Sequence, residues 1–247
     1  MRTFIIVLVA AAFATPVRSQ SLTAASLLRD SKNRLGDIQR QVDSTNGSLV
    51  VNVTFDAHIL GRKASGNASY RITVKDGHDA GSELVGRYSF SDSTAAAMIG
   101  RQFHRRLNKP IMDFYLDSAF PWNRYLEGAD KKRVFTATIE SDSAMIMGKR
   151  CFLISFVLDA ENDSMSAEGE GKIWLDASTL LPVRTYRDFN MNTRRGKAEV
   201  KSSSDFTSLG NGIPVMVRSE TQTIPKILFI SVGSIKTVVK QSDFNLE

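Results

Sequence analysis

Few residues in this chain have the types and spacing of a reaction centre. The three histidines, His58, His78 and His104, fall in separate segments, and none belongs to an H-x-x-x-H or H-E-x-x-H metal motif. A serine nucleophile on an elbow turn needs G-x-S-x-G, and the sequence has no such run. Glu168-Gly169-Glu170-Gly171-Lys172 has the glycines and lysine of a phosphate cradle, but Ile173 stands where a Ser or Thr is required and the earlier glycine is missing. Asp159, Glu161 and Asp163 alternate as weak calcium ligands would, yet lack the sharp-turn glycine and the distal bidentate Glu. A solvated acidic loop over Asp159 to Glu168 accounts for them. Cys151 is the one cysteine, so no intramolecular disulfide can form, and no histidine lies near it in sequence. It reads as a small buried hydrophobe on a strand. No catalytic residue, metal or cofactor is expected. A hydrolase would require groups that converge only in space.

The elements that would position any site are mainly strands. Gly171-Lys172-Ile173-Trp174-Leu175-Asp176 and Leu181-Pro182-Val183-Arg184 flank a short Ala177–Leu180 turn and read as one hairpin. Ser48 to Ile59 alternates with period two: Leu49, Val51, Val53, Phe55, Ala57 and Ile59 share one face. At ~3.3 Å per residue this strand is close to 40 Å long, and strands of that length coil rather than lie flat. Tyr70, Ile72 and Val74 repeat the alternation before a Lys75-Asp76-Gly77 turn, and Leu84 to Phe90 is a third strand. From Arg133 onward the chain is strand and turn: Phe135 to Ile139, Phe152 to Leu158, then Ala198–Phe206, Ile213–Thr223, Ile227–Val232 and Ile235–Gln241. Each is expected to return beside its predecessor.

Helices are few. Leu28, Leu35 and Ile38 predict one over Leu22 to Gln39. Ala95, Met98, Ile99, Phe103 and Leu107 predict a second, opened near Ser91-Asp92-Ser93 and stopped by Asn108 and Pro110. It carries the basic cluster Arg101, His104, Arg105, Arg106 and Lys109, read as a solvated face or as a contact for an anionic lipid surface. Ile111 to Leu126, rich in aromatics and broken by Pro121, is expected to be helical or irregular and to pack over the sheet. The fold class is therefore mainly β: a long, curved antiparallel sheet with covering α-helices.

Arg2, the apolar run Phe4 to Ala14 and the small residues before Gln20 have the grammar of a secretory signal peptide over residues 1–19. Residues 20–247 then form a single domain in the periplasm or outside the cell. No cysteine follows the expected cleavage site, so no bacterial lipid anchor is expected. The net charge of +6 includes Arg2 and Arg18 of the leader. The remaining excess lacks the dense basic block, interleaved with aromatics, of a nucleic-acid binder.

The leader, the N-terminal helix, the long first strand and the turn-and-strand Gly148-Lys149-Arg150-Cys151-Phe152-Leu153-Ile154 form a pattern when taken together. So do Gly-Lys-Ile-Trp-Leu-Asp with Leu-Pro-Val-Arg at 171–184, Gly210-Asn211-Gly212-Ile213-Pro214, and the ending Ser242-Asp243-Phe244-Asn245-Leu246. On these the chain resembles the lipoprotein-carrier (LolA/LolB-like) superfamily of the bacterial envelope, over nearly all of residues 20–247. Residues 91–126 look longer and more basic than that family's pattern. The resemblance implies an unclosed antiparallel β half-barrel with covering α-helices, which close over an apolar concavity for acyl chains. Its expected function is a monomeric carrier of lipid or lipoprotein acyl chains, with envelope membrane proteins as further partners. A sensor or scaffold of the same fold that binds a partner protein is the alternative.

The residues expected to line such a concavity are Phe152, Ile154, Phe156 and Leu158, four large side chains on one strand face, joined by Phe55 and Trp174 from other strands. Ordinary core packing against Leu28, Leu35, Met98 and Phe103 is the competing reading. Burial gains ~0.8 kcal/mol per CH₂, so a chain of about sixteen carbons contributes on the order of 10 kcal/mol before entropic losses.

Overall fold

The computed structural model describes residues 22–91, 109–127, 129–194, 196–227 and 230–247. The expected leader over 1–19, the helix built on Ala95 to Leu107 and its basic cluster up to Arg106 lie outside the described residues.

Helix α1 (Ala24–Val42) starts at Thr23. The Thr23 hydroxyl accepts from the Ser26 N–H while the Ser26 side chain answers the Thr23 N–H, so two otherwise orphaned donors are satisfied. Its apolar stripe buries Leu27, Leu28, Leu35, Ile38 and Val42. The strands follow as β1 (Gly47–Ile59), β2 (Arg62–Lys75) and β3 (His78–Phe90). Two short helices come next, α2 (Ile111–Ala119) and α3 (Asn123–Glu127), separated around Pro121. The rest is strand: β4 (Lys132–Ile146), β5 (Lys149–Glu161), β6 (Met165–Asp176), β7 (Pro182–Thr193), β8 (Gly196–Ser208), β9 (Pro214–Ile227), β10 (Ile230–Ser231) and β11 (Gly233–Leu246).

All pairings are antiparallel, in the order β3-β2-β1-β11-β9-β8-β7-β6-β5-β4, with the short β10 beside β9. Among the described residues β3 and β4 end this path without pairing with each other, so the sheet is unclosed. It must also curl. Ten strands laid flat at ~4.8 Å would span about 43 Å, whereas the 19 residues of α1 are only ~28 Å long. Yet α1 packs against β4 at one edge, and its C-terminal Val42 reaches the β2–β3 turn near the other, where Gly77 N–H donates to the Thr45 carbonyl. The expectation of an open half-barrel is met.

Two details differ from the sequence reading. Asp159 to Glu168 is not a polar loop: β5 runs to Glu161 and β6 begins at Met165. The acidic side chains are outward positions of a long hairpin, with Asp159 paired to Lys132 and Asp163 to Lys131. Nor does every strand return beside its predecessor. The final strand β11 inserts between β1 and β9 with a twelve-position register from Gly47↔Leu246 to Ile59↔Gly233.

Gly171 and Gly66 explain much of the packing inside the sheet. A Cβ on Gly171 would come within 2.3 Å of Phe156 Cζ and 2.4 Å of the Tyr186 carbonyl. One on Gly66 would meet Phe90 and Phe55 rings at 2.6 and 2.8 Å. Aromatic rings occupy the space over both glycines because no side chain is there. The glycines at 169 and 171 therefore belong to the middle of a strand and not to a phosphate loop.

The turn at Leu60-Gly61 is unusual in another way. Both residues have positive φ, 50° and 78°, the pattern of a tight turn that favours Asn-Gly or Asp-Gly. Asp76-Gly77 obeys that preference with φ 49° and 72°. Leucine in the left-handed region costs roughly 1–2 kcal/mol, and this leucine is 71% exposed, so packing returns little.

Candidate functional site

Residues directly opposite one another on paired strands share a face, so the registers place every expected lining residue. Phe152 pairs with Leu175, Ile154 with Ile173, Phe156 with Gly171 and Leu158 with Gly169. All four of these β5 residues thus lie on the concave side. Phe55 joins the same side through the row Phe55–Thr237–Thr221–Ser202–Arg187–Gly171–Phe156. Trp174 does not. It pairs with Leu153, alternates with buried Ile173 and Leu175, and lies on the convex side beside Arg184, Tyr186 and Asp205. Period two alone puts it there.

The concave face is not apolar throughout. The row just traced is aromatic at its flanks but Thr, Thr, Ser and Arg across β11, β9, β8 and β7. Ser202 Oγ accepts from Arg187 Nε at 2.8 Å, and Ser204 Oγ donates to Ser219 Oγ at 3.0 Å in the next row. The Arg187 guanidinium lies 6.0 Å from the Phe189 ring centroid.

Over the β5–β7 side the concavity is filled. Trp122, between α2 and α3, sits 4.4 Å from Phe156 and 5.1 Å from Phe135 by ring centroids. Tyr125 meets Phe189 edge-on at 5.7 Å, and the Thr185 hydroxyl donates to the Ser118 carbonyl at 2.9 Å. Lys32 of α1 donates to Asn123 Oδ1 at 2.6 Å and lies over the Phe120 ring, which fastens α1 to α3. Burial pushes the Lys32 ammonium pKa down, against the pull of Glu127. Ile154, Phe156 and Leu158 are thereby fully buried, Phe55 is 5% exposed, and Phe152 is half-buried.

Space remains on the other side. A cavity of about 510 Å³ lies between α2 and the β2–β1–β11–β9 part of the sheet, at the rim that carries Gly47, Gly77 and Leu246. That volume is within the ~300–1,000 Å³ range of small-molecule sites. Leu49, Val51, Ile72, Val215, Met216 and Leu246 supply its apolar floor, and Ile111, Met112, Tyr115 and Leu116 supply the helical wall. None of the six residues expected from the sequence is among its lining residues. The more exposed Lys109, Asp113, Asp117, Asn123 and Glu127 stand around it. The wall is held by the rim itself: Ile111 N–H donates to the Gly77 carbonyl and Asp79 N–H to the Lys109 carbonyl.

Tyr115 is the cavity's distinctive polar group. The residue is 3% exposed, its ring meets Phe206 edge-on at 5.0 Å, and its hydroxyl is buried with no hydrogen-bond partner among the described residues. Burial pushes its pKa far up, so it remains a neutral donor. An unsatisfied buried hydroxyl costs about 1–3 kcal/mol, which a ligand with an acceptor atom would recover. The sequence offered weak signals here. Met112, Tyr115 and Leu116 were visible as bulky residues over the sheet, but nothing linked them to Val215 or Phe244 a hundred residues later.

Neither family models nor curated proteins match this chain. Among solved structures it is similar to an outer membrane lipoprotein-sorting protein domain from Vibrio parahaemolyticus, with a TM-score of 0.34 and 9% identity over 89% of this chain and 92% of that one. It is also similar to a DUF1329 family protein from Desulfovibrio piger, with a TM-score of 0.30 and 13% identity over 88% and 92%. Likeness at those values assigns no function.

Proposed function

We propose that this chain is a periplasmic carrier for a hydrophobic cargo, with lipid or lipoprotein acyl chains held in the cavity between α2 and the sheet. The observation that carries the reading is the cavity itself: about 510 Å³ with an apolar floor from four neighbouring strands, beside a β5–β7 side that is packed with aromatic rings. A site that works by burying CH₂ groups needs few polar contacts. Tyr115 supplies one, suited to a carbonyl or hydroxyl where the chain meets its head. In this reading Phe156 and its neighbours Ile154 and Leu158 form the rigid part of the concavity, and Phe152 and Phe55 edge it. The signal peptide read from residues 1–19 delivers the protein to the compartment where such cargo moves. No helix among the described residues is long and apolar enough to cross a membrane.

Uptake of a fluorescent fatty-acid probe tests the proposal, with Leu116→Trp as the variant. Leu116 lines the cavity and is only half-buried, so a larger ring can fill the space without displacing core. Saturable uptake by the wild type and loss in the folded variant support the carrier. Equal uptake by both would move the cargo elsewhere.

A further inference from the structure

The opposite rim, where β1 turns into β2 and β9 into β11, presents a second kind of surface. Leu60 is 71% exposed, Ile230 70% and Ile227 56%. These are not scattered. The Leu60 N–H donates to the Val232 carbonyl at 2.9 Å, Ile59 pairs with Gly233, and Ile230 pairs with Ile227. Three large aliphatic side chains thus cap two adjacent turns, with no described element covering them. Single exposed hydrophobics are ordinary, but a cluster on turn tips is not. Leu60 adds an independent observation, since it occupies a left-handed position where asparagine would be less strained and more soluble.

The two hairpins that carry these tips are themselves basic. No acidic residue occurs between Asp56 and Asp76, or between Glu220 and Asp243. Those two hairpins instead carry Arg62 and Lys63 beside Leu60, and Lys226 beside Ile227. Lys226 stands opposite Lys197 in the β8–β9 register and is ion-paired with Glu199 at 3.3 Å. Aliphatic tips inside a basic collar match an anionic bilayer, whose interface takes up aliphatic side chains while its headgroups attract Lys and Arg.

We infer that this rim docks on an anionic phospholipid surface through Leu60, Ile227 and Ile230, with Arg62, Lys63 and Lys226 at the headgroups. The cavity, at the other rim, then faces away from the bilayer. This inference does not depend on the carrier reading, because none of these residues lines the cavity.

Co-sedimentation with vesicles of equal phosphatidylglycerol and phosphatidylcholine, against phosphatidylcholine alone, tests it. The wild type should pellet with the anionic vesicles, be released by salt, and stay in solution with the neutral ones. Leu60→Asn and Ile230→Ser should each weaken binding about tenfold. Leu60→Asn should melt no lower than the wild type, so its loss of binding cannot be unfolding. Failure of the wild type to bind anionic vesicles, equal binding to neutral ones, or unchanged binding by both variants would overturn the proposal. Vesicle binding by a protein that takes up no acyl probe would support it while contradicting the carrier reading.

Discussion

Trp122 packs at a tilt against Phe156, with 4.4 Å between ring centroids and an interplanar angle of 56°, holding the α2–α3 segment on the middle of β5. Phe156 also meets Phe135 and Phe189, and Gly171 lies beneath it. The contact fills the β5 side of the concavity, and the cavity under α2 lies over β2, β1, β11 and β9. Phe156→Ala should therefore cost ~3–5 kcal/mol in chemical denaturation, as a fully packed ring does. A loss below about 1 kcal/mol would mean that Phe156 borders empty space.

Gly171→Ala gives a sign opposite to the usual one. A strand-interior glycine is normally improved by a side chain. Here the added methyl would overlap Phe156 and the Tyr186 carbonyl, so the variant should lose about 1–3 kcal/mol. Combining it with Phe156→Leu should lower that cost, and a double-mutant cycle measures the coupling.

Asp176 ends β6 and organises the turn into β7. One oxygen, Oδ1, accepts from the Ser178 N–H at 2.8 Å, the Ser178 hydroxyl at 2.5 Å and the Thr179 N–H at 3.2 Å. Burial pushes its pKa up, but these bonds and Lys149 outweigh it, so the net shift is downward. A depressed folded-state pKa contributes stability above the unfolded value of about 3.9, and that stability is lost as pH falls through the folded value. Denaturation midpoints should therefore decline more steeply below about pH 4 for the wild type than for Asp176→Asn. Near neutral pH the variant should be less stable by about 1–3 kcal/mol.

Several elements were legible in the sequence because their periods are unambiguous. Leu28, Leu35 and Ile38 marked α1, and Leu49 to Ala57 marked β1 and its inward face. The Asp159–Glu168 segment resembles a loop in composition because its acids are solvated or paired with Lys131 and Lys132, although it forms the end of one strand and the start of the next. The size of Trp174 suggests the concavity, but its neighbours Ile173 and Leu175 face inward, so period two turns Trp174 outward. The cavity was not legible at all. It depends on β11 inserting beside β1, a pairing of residues nearly two hundred apart, and no local pattern encodes that.

Tyr115→Phe separates ligand recognition from folding. Removing a buried hydroxyl that lacks a partner among the described residues should leave thermal stability unchanged or raise it by about 1 kcal/mol. Affinity for an acyl ligand with a carbonyl head should fall about tenfold, while affinity for a plain alkane probe should not change. Titrations with a fatty-acid ester and an alkane of equal length check it.

Native mass spectrometry of the protein purified from a bacterial envelope is the most direct measurement of the central claim. The carrier reading predicts a co-purified lipid of definite mass on the wild type, depleted in Leu116→Trp. A wild-type spectrum showing only the bare chain, from a preparation that also takes up no acyl probe, would contradict it.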